Sequence, residues 1–147
     1  MNNDTRLAVG AHILAALSLT KDEYQTSELL ARSVNTNAVV IRRLLGQLKK
    51  AGLVDVRLGI GGAMLSLSPE KITLLDVYKA VVPKPTACPF YLHQNPSAKC
   101  VIGKNIHDAL EIPFAKVNQA MRDSLATTTI ADIAIFIQTR LAATIRD

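Results

Sequence analysis

The chain has 147 residues, of which 49% are apolar and none is tryptophan, and its formal net charge is +5. This length supports one domain with an appendage, and the scarcity of aromatic residues predicts an aliphatic core of packed helices. Two cysteines are too few for a disulfide scaffold. The start MNNDTR lacks the form of a signal peptide, and no apolar run approaches the ~18 residues of a membrane span, so we expect a cytoplasmic protein with no membrane partner.

The positive charge is concentrated between residues 32 and 57. This window holds six basic residues and one acidic residue, and its net charge of +5 equals that of the whole chain. A polyanion such as DNA is the natural partner of charge concentrated in this way. A solvated helix face beside a turn would carry the same charge. The arrangement of the predicted elements therefore decides between the two interpretations.

The first half of the chain predicts a pair of helices joined by a turn. A helix over residues 4–19 is apolar nearly all round, which indicates burial on several faces. Thr26 or Ser27 then offers an N-cap for a short helix. After a turn of about four residues, a second helix runs over residues 37–50 with long polar side chains on one face. This pattern is typical of a helix-turn-helix.

A glycine-rich hairpin follows the second helix of this motif. Two short strands are predicted over residues 53–58 and 63–67, with Gly59, Gly61 and Gly62 between them. A hairpin placed directly after a recognition helix is a wing. A nucleotide-binding loop would need a following Lys-Ser/Thr pair and a preceding parallel strand, and the chain has neither here. We therefore predict a mainly α fold whose head is a winged helix-turn-helix with a two-stranded wing.

The second half predicts long helices. A helix capped by Thr73 closes the head, and a proline-rich loop separates it from a long helix over residues 103–125. Pro113 removes one backbone hydrogen bond of that helix and predicts a kink. Its apolar residues recur at spacings of 4, 4, 3, 4 and 4, close to the seam of a paired helix. They predict dimerisation through Ile106, Leu110, Phe114, Val117, Met121 and Leu125.

These elements divide the chain into three parts. We assign residues 1–82 to a winged helix-turn-helix DNA-binding domain, residues 83–102 to a loop that contains Cys88 and Cys100, and residues 103–147 to dimerisation helices. Packing of the long helix onto the chain's own head is the alternative to pairing with a second copy.

Three stretches of the sequence resemble one protein family. They are LLGQLKKAGLV at residues 44–54, which runs into RLGIGGAMLSLS at residues 57–68, then CVIGKNI at residues 100–106 and SLATTTIADI at residues 124–133. In this order they resemble the IscR/NsrR-type winged-helix transcription regulators, the Rrf family. The resemblance implies a homodimer whose long helices pair and whose two heads read a palindromic operator in double-stranded DNA.

The resemblance also assigns roles to individual residues. It places Asn37, Val39 and Arg42 where side chains reach base edges. The family often carries an arginine directly before the first wing glycine, and here that position is Leu58, with Arg57 one residue earlier on the opposite face of a regular strand. The predicted DNA contacts are Thr26, Ser27, Asn37, Val39, Arg42, Arg43, Gln47, Lys50, Arg57, Gly59, Gly61 and Gly62.

The cysteines raise the question of a sensor. Sensing members of the family hold an iron–sulfur cluster with three cysteines, each separated by five residues, and Cys88 and Cys100 match the outer two. The middle position is Gln94, with His93 beside it as a candidate ligand, and Gly103 stands where some members have histidine. A cluster, a thiol switch between the two cysteines and two inert reduced thiols remain open, and we expect no resident cofactor or metal.

No catalytic arrangement of side chains stands out, so we expect a regulator and not an enzyme. The leading prediction is a sequence-specific DNA-binding transcriptional repressor that responds to redox state or to a ligand. The alternatives are a winged-helix protein-interaction module and a regulator with a small-molecule pocket between head and tail.

Overall fold

The computed structural model describes residues 3–59, 61–83, 90 and 92–145, and for residues 3 and 4 the backbone alone. Within these residues the fold is mainly helical, and one antiparallel two-stranded sheet completes it. None of the described helices has the length and apolar composition needed to cross a membrane. In chain order the elements are α1 (Asn3–Leu19), α2 (Ser27–Val34), α3 (Ala38–Lys50), β1 (Val54–Arg57), β2 (Gly62–Leu65), a 3-10 turn (Pro69–Lys71), α4 (Leu74–Val81), α5 (Val101–Thr127) and α6 (Ile130–Thr144).

The core of the head forms around α1. This helix packs against α2, α4 and α6, and for that reason it is apolar nearly all round, as the sequence predicts. Ile13 and Leu14 are fully buried, and Ile41 and Leu48 of α3 are buried against the same cluster. Gly10 lets α4 approach closely, because a Cβ there would lie 2.9 Å from a methyl group of Val77. Aliphatic side chains therefore supply most of the core, and the ring of Tyr78 in α4 is also buried.

Side-chain caps fix where several helices begin. The Thr26 hydroxyl accepts a hydrogen bond from the N–H of Leu29 at the start of α2. Thr73 with Asp76, and Thr129 with Asp132, form reciprocal capping boxes at the starts of α4 and α6. α2 ends at Val34, and α5 begins at Val101 with Cys100 as its N-cap.

The wing is a short hairpin joined to the loop before α2. β1 pairs with β2 so that Val54 lies opposite Leu65 and Arg57 lies opposite Gly62. The backbone of Gln25 adds two further hydrogen bonds to β2, both 2.8 Å long, to and from Ala63. The wing is therefore held to the helix-turn-helix by main-chain bonds as well as by packing.

The tail contacts the head through the junction of its two helices. Backbone hydrogen bonds join Leu74 to Thr128 (2.9 Å) and Ile130 to Ile72 (2.8 Å). α6 then packs on α1, so the helix that the sequence analysis assigned to the dimerisation region contributes fully buried Ile130 to the core of the head. α5 has no buried residue. The sequence predicts a kink at Pro113, and the helix continues through this residue without a break.

Candidate nucleic-acid interface

A three-residue turn joins α2 to α3 and presents the first turn of α3 to solvent. Asn35 makes this turn by adopting a left-handed backbone conformation (φ 59°), which asparagine tolerates well. Asn37 then caps α3, because its side-chain oxygen accepts a 2.8 Å hydrogen bond from the N–H of Val39. A base-reading role of Asn37 stays a prediction, and it would use the amide nitrogen or the remaining lone pair of the oxygen.

An exposed strip runs along the outer side of α3. Val39 is 64% exposed at its start, and at Gly46 the position of a Cβ would have no neighbour within 4 Å. Arg42 and Arg43 are both exposed and flank this strip on opposite sides. Arg42 extends towards α2, whereas Arg43 lies towards α1. Lys50 is exposed at the carboxyl end of α3.

Arg42 forms an ion pair with Glu28 of α2. Both side chains remain more than half exposed, at 56% and 57%. An exposed pair of this kind contributes about 0–1 kcal/mol. Glu28 can therefore hold the guanidinium in one place before binding, while the cost of releasing it to a base or a phosphate stays small.

A groove of about 380 Å³ separates α2 and α3 from the wing. It gathers half of the predicted DNA contacts along one surface. Its lining comprises the predicted Thr26, Ser27, Arg42, Arg57, Gly59 and Gly62, together with Glu28, Leu45, Val56 and Leu58.

Arg57 stacks on an aromatic ring at the base of the wing. Its guanidinium carbon lies 3.9 Å from the ring centroid of Tyr24, a cation–π contact that fixes the side chain. The Tyr24 hydroxyl donates a 2.6 Å hydrogen bond to the Asp55 carboxylate, and this bond is the main reason why the pKa of Tyr24 is raised. Leu58 follows β1 directly, and its side chain is 95% exposed.

The wing glycines are explained by close approach and by backbone conformation. Gly62 has φ 74°, and a Cβ there would lie 2.5 Å from the carbonyl oxygen of Gln25. A Cβ at Gly61 would overlap the Cβ of Arg57, whereas Gly59 has open space around it but also needs positive φ (76°). Contacts from their N–H groups to phosphate stay a prediction.

Gln47 and Arg43 lie on the other side of α3, away from this groove. They line a separate small cavity together with Arg6 of α1. Lys49, the charged neighbour of Lys50, donates a 3.2 Å hydrogen bond to the carbonyl oxygen of Val56 and so ties α3 to β1. The structure therefore places the predicted contacts of the groove on one side of the strip and Arg43 and Gln47 on the other side.

Phe90 and His93, which precede α5, contact that helix. Phe90 contacts Phe114 with 6.4 Å between ring centroids. The ring of His93 meets His107 edge-on at 5.7 Å, and the Nε2 atom of His107 lies 2.9 Å from the carbonyl oxygen of His93. Thus His93 is positioned by α5, whereas Cys88 lies outside the described residues.

Cys100 is exposed and free at the first turn of α5. The pKa of its thiol is lowered, first by the backbone N–H of Gly103 and then by that of Ile102. Such N–H groups at a helix start favour the thiolate, which is the reactive form of cysteine.

Within the described residues, no member of the predicted dimerisation stripe is fully buried. Val117 is 45% exposed, and the other members are half-buried: Ile106, Leu110, Phe114, Met121 and Leu125. The exposed Ile112 (65%) on α5 and Phe136 (62%) on α6 add apolar surface to the tail. A helix of 27 residues with this composition has more apolar surface than its own head covers.

Comparison with known proteins identifies the chain. Residues 3–135 match the model of the family described as Rrf2, iron-dependent transcriptional regulator. The chain belongs to the Rrf2 family. YwnA of Bacillus subtilis (strain 168), provisionally named an HTH-type transcriptional regulator, is 44% identical over 130 residues, which are 88% of this chain and 95% of YwnA.

Solved structures agree with this assignment. A crystal structure provisionally described as a DNA-binding protein is 40% identical, with a TM-score of 0.69 over 87% of this chain and 97% of that one. A transcriptional regulator from Lactobacillus plantarum, 24% identical, shares the fold with a TM-score of 0.76 over 95% and 98% of the two chains. The winged helix fold is confirmed, and the protein is a DNA-binding transcriptional regulator and not an enzyme.

The residues of this Rrf2 protein do not fit the cluster of its sensing relatives. One chain offers two cysteines for a group that ordinarily takes four ligands. The position of the family's histidine is Gly103, where a Cβ would overlap the carbonyl oxygen of Ser97. Among the described residues, no three His, Cys, Asp or Glu side chains are grouped as metal ligands.

Several residues that shape this interface carry no signal in the sequence. In the sequence, Glu28 is an acidic residue in the first turn of α2, where it complements the helix dipole. In the structure it also pairs with Arg42, which is fourteen positions away. Tyr24 and Asp55 are thirty-one positions apart, and only the fold brings them to Arg57. Arg6 is part of a helix apolar nearly all round. Local spacing could not have found any of these contacts.

Proposed function

We propose that this Rrf2 protein acts in the cytoplasm as a homodimeric repressor that reads a palindromic operator. The observation that supports the proposal best is the exposed first turn of α3, capped by Asn37 and flanked by the groove to the wing. A helix presented in this way enters the major groove with its first residues on the base edges. We assign base reading to Val39 and Arg42 and backbone contacts to Lys50.

The homodimer is supported by the stripe on α5. Its apolar residues run the length of a 27-residue helix without one buried member, and exposed apolar surface of this extent marks an interaction site. A second copy presents the same stripe, so the two helices can bury each other along a shared seam. The two recognition helices would then enter major grooves about one turn of DNA apart, ~34 Å.

We infer that the dimer represses, because a DNA-binding protein can act by occupying its operator. Where that operator overlaps a promoter, the bound dimer excludes RNA polymerase. In vitro transcription from a promoter that carries the operator should fall as the protein is added, and a rise would contradict repression.

Binding to DNA is tested by a fluorescence titration of a labelled random duplex at two salt concentrations. We expect binding at low salt that weakens steeply as salt rises, because released counterions dominate the affinity. Lys50→Ala should weaken binding about equally on all sequences and reduce the magnitude of the salt slope by about 0.9 per lost contact. Lys79→Ala is the charge-matched control, since Lys79 is exposed on α4, which packs on the buried side of α3. Absence of binding at low salt would contradict the proposal.

We also propose that Cys100 makes the regulator responsive to oxidation. Its exposure and its lowered pKa favour attack of the thiolate on hydrogen peroxide, which gives a sulfenic acid and hydroxide. The thiol of Cys88, in the same chain or the partner copy, can then displace the sulfenic oxygen as water and form a disulfide. Because Cys100 begins α5, this bond would act at the base of the dimerisation helix.

A further inference from the structure

The surface beside α3 that faces α1 carries two arginines, and among the described residues neither has a salt-bridge partner. Arg6 of α1 and Arg43 of α3 line a cavity of about 80 Å³, whose remaining lining is Val40, Leu44 and Gln47. A cavity needs only about 10–15 Å³ to hold one water, so this cavity has room for a small oxyanion. We propose that it binds a backbone phosphate of the DNA, as a contact separate from the base-reading strip; the proposal rests on the proposed mode of DNA binding.

The main support for the proposal is the guanidinium group of Arg6, which has a buried nitrogen without a hydrogen-bond acceptor among the described residues. Its Nη1 atom is buried, and among the described residues no group forms a hydrogen bond with it. A buried charged donor without a partner is unfavourable, since it loses water and gains nothing in exchange. A phosphate oxygen would supply the missing acceptor, and the planar guanidinium fork fits a phosphate in a bidentate manner.

The neighbours of Arg6 favour an anion over any other occupant. Arg43 is exposed and has no salt-bridge partner in the described part of the chain. Gln47 is half-buried and adds an amide donor, while Val40 and Leu44 make an apolar floor. Two guanidinium groups at one cavity repel each other until an anion lies between them. Among the described residues no carboxylate lines the cavity, in contrast to the groove beside the wing, where Glu28 already neutralises Arg42.

The position of the cavity favours DNA as the source of the phosphate. Arg43 follows Arg42 directly in α3, so the cavity opens beside the exposed strip that starts at Val39. When that strip enters the major groove, one edge of the groove lies against the side of α3 that faces α1. The contact would fix the register of the head without reading sequence.

The first experiment measures the salt dependence of binding to a random duplex for wild type, Arg6→Ala, Arg6→Lys and the control Lys79→Ala. Loss of one phosphate contact per head should reduce the magnitude of the slope by about 0.9 per protomer in Arg6→Ala. Arg6→Lys keeps a charge at the site and should recover the slope with weaker binding. Lys79→Ala should leave the slope at the wild-type value. An Arg6→Ala slope equal to the wild-type slope would overturn the inference.

A second measurement separates this role from a structural one. Inorganic phosphate should raise the melting temperature of wild type more than that of Arg6→Ala at equal ionic strength, because the variant lacks the guanidinium that binds it. An equal rise in the two proteins would overturn the inference.

The two measurements together show whether the cavity binds a DNA phosphate or a free phosphate. They also separate failure of this inference from failure of the proposed DNA-binding function. A phosphate-dependent rise in melting temperature with an unchanged DNA salt slope would mean that the cavity binds a free phosphate species, which contradicts the DNA assignment. Wild-type protein that binds no duplex at low salt would contradict the proposed function itself. Wild-type binding with the same slope as Arg6→Ala would contradict this inference alone.

Discussion

Arg42 and Arg43 are adjacent in the sequence but have different surroundings. Arg42 is held by Glu28 beside the wing groove, and Arg43 lies beside Arg6 on the opposite side of the strip. The concentration of charge predicts that both belong to a DNA-binding surface. Their division could not be predicted, because it depends on where α1 and α2 pack against α3.

Cys100 allows a prediction at the scale of one residue. In a Cys88→Ser variant, the rate of alkylation of Cys100 by iodoacetamide should rise with pH around a midpoint below that of the same protein unfolded in guanidinium. The reason is that the N–H groups of Gly103 and Ile102 lower the thiol pKa in the folded state. Alkylation should therefore slow only as the pH falls through this lowered value.

The same thiol should control the response to oxidation. Peroxide should weaken DNA binding by wild-type protein, while Cys100→Ser should bind equally before and after treatment. Equal alkylation midpoints in the folded and unfolded protein, or a peroxide effect that survives in Cys100→Ser, would contradict the assignment.

The elements themselves were largely predictable from local chemistry. Thr73 begins a helix, as predicted, because its hydroxyl and the carboxylate of Asp76 satisfy each other's backbone N–H groups. The second helix of the predicted pair is also observed as α3, and the side opposite its long polar side chains buries Ile41, Leu44 and Leu48. The edges of the wing were less predictable, since Gln25 pairs with Ala63 from a loop that carries no strand pattern.

The effect of the wing backbone on stability can be measured by comparing Gly62 in β2 with Gly46 in α3. Gly62→Ala should lower the free energy of unfolding by at least about 1–2 kcal/mol, because a left-handed conformation strains an L-residue and the new Cβ would meet the backbone of Gln25. Gly46→Ala should raise it by about 0.8–1 kcal/mol, because Gly46 lies inside α3 with open space around it. Denaturant unfolding of both variants tests this, and similar values for the two would contradict the described wing geometry.

At the scale of the whole molecule, the chain combines a packed head with a long helix that has no fully buried residue. The sequence predicts this helix from its apolar spacing over residues 103–125, and the observed α5 is two residues longer at each end. That α6 returns to pack on α1 could not be predicted, because the apolar face of α6 suits a partner chain as well as its own head. The proposed dimer would place two copies of the α3 strip on one side of the assembly, facing one DNA duplex.

The most direct test of this account is selection of bound duplexes from a random-sequence library, followed by sequencing. Wild-type protein should select a palindrome with half-sites about one helical turn apart, 10–10.5 base pairs between centres. Arg42→Ala should retain the spacing and lose preference at one position of each half-site, since one base contact is removed from each head. Enrichment of a single unpaired site, or an identical motif from Arg42→Ala, would contradict the reading of a palindromic operator by α3.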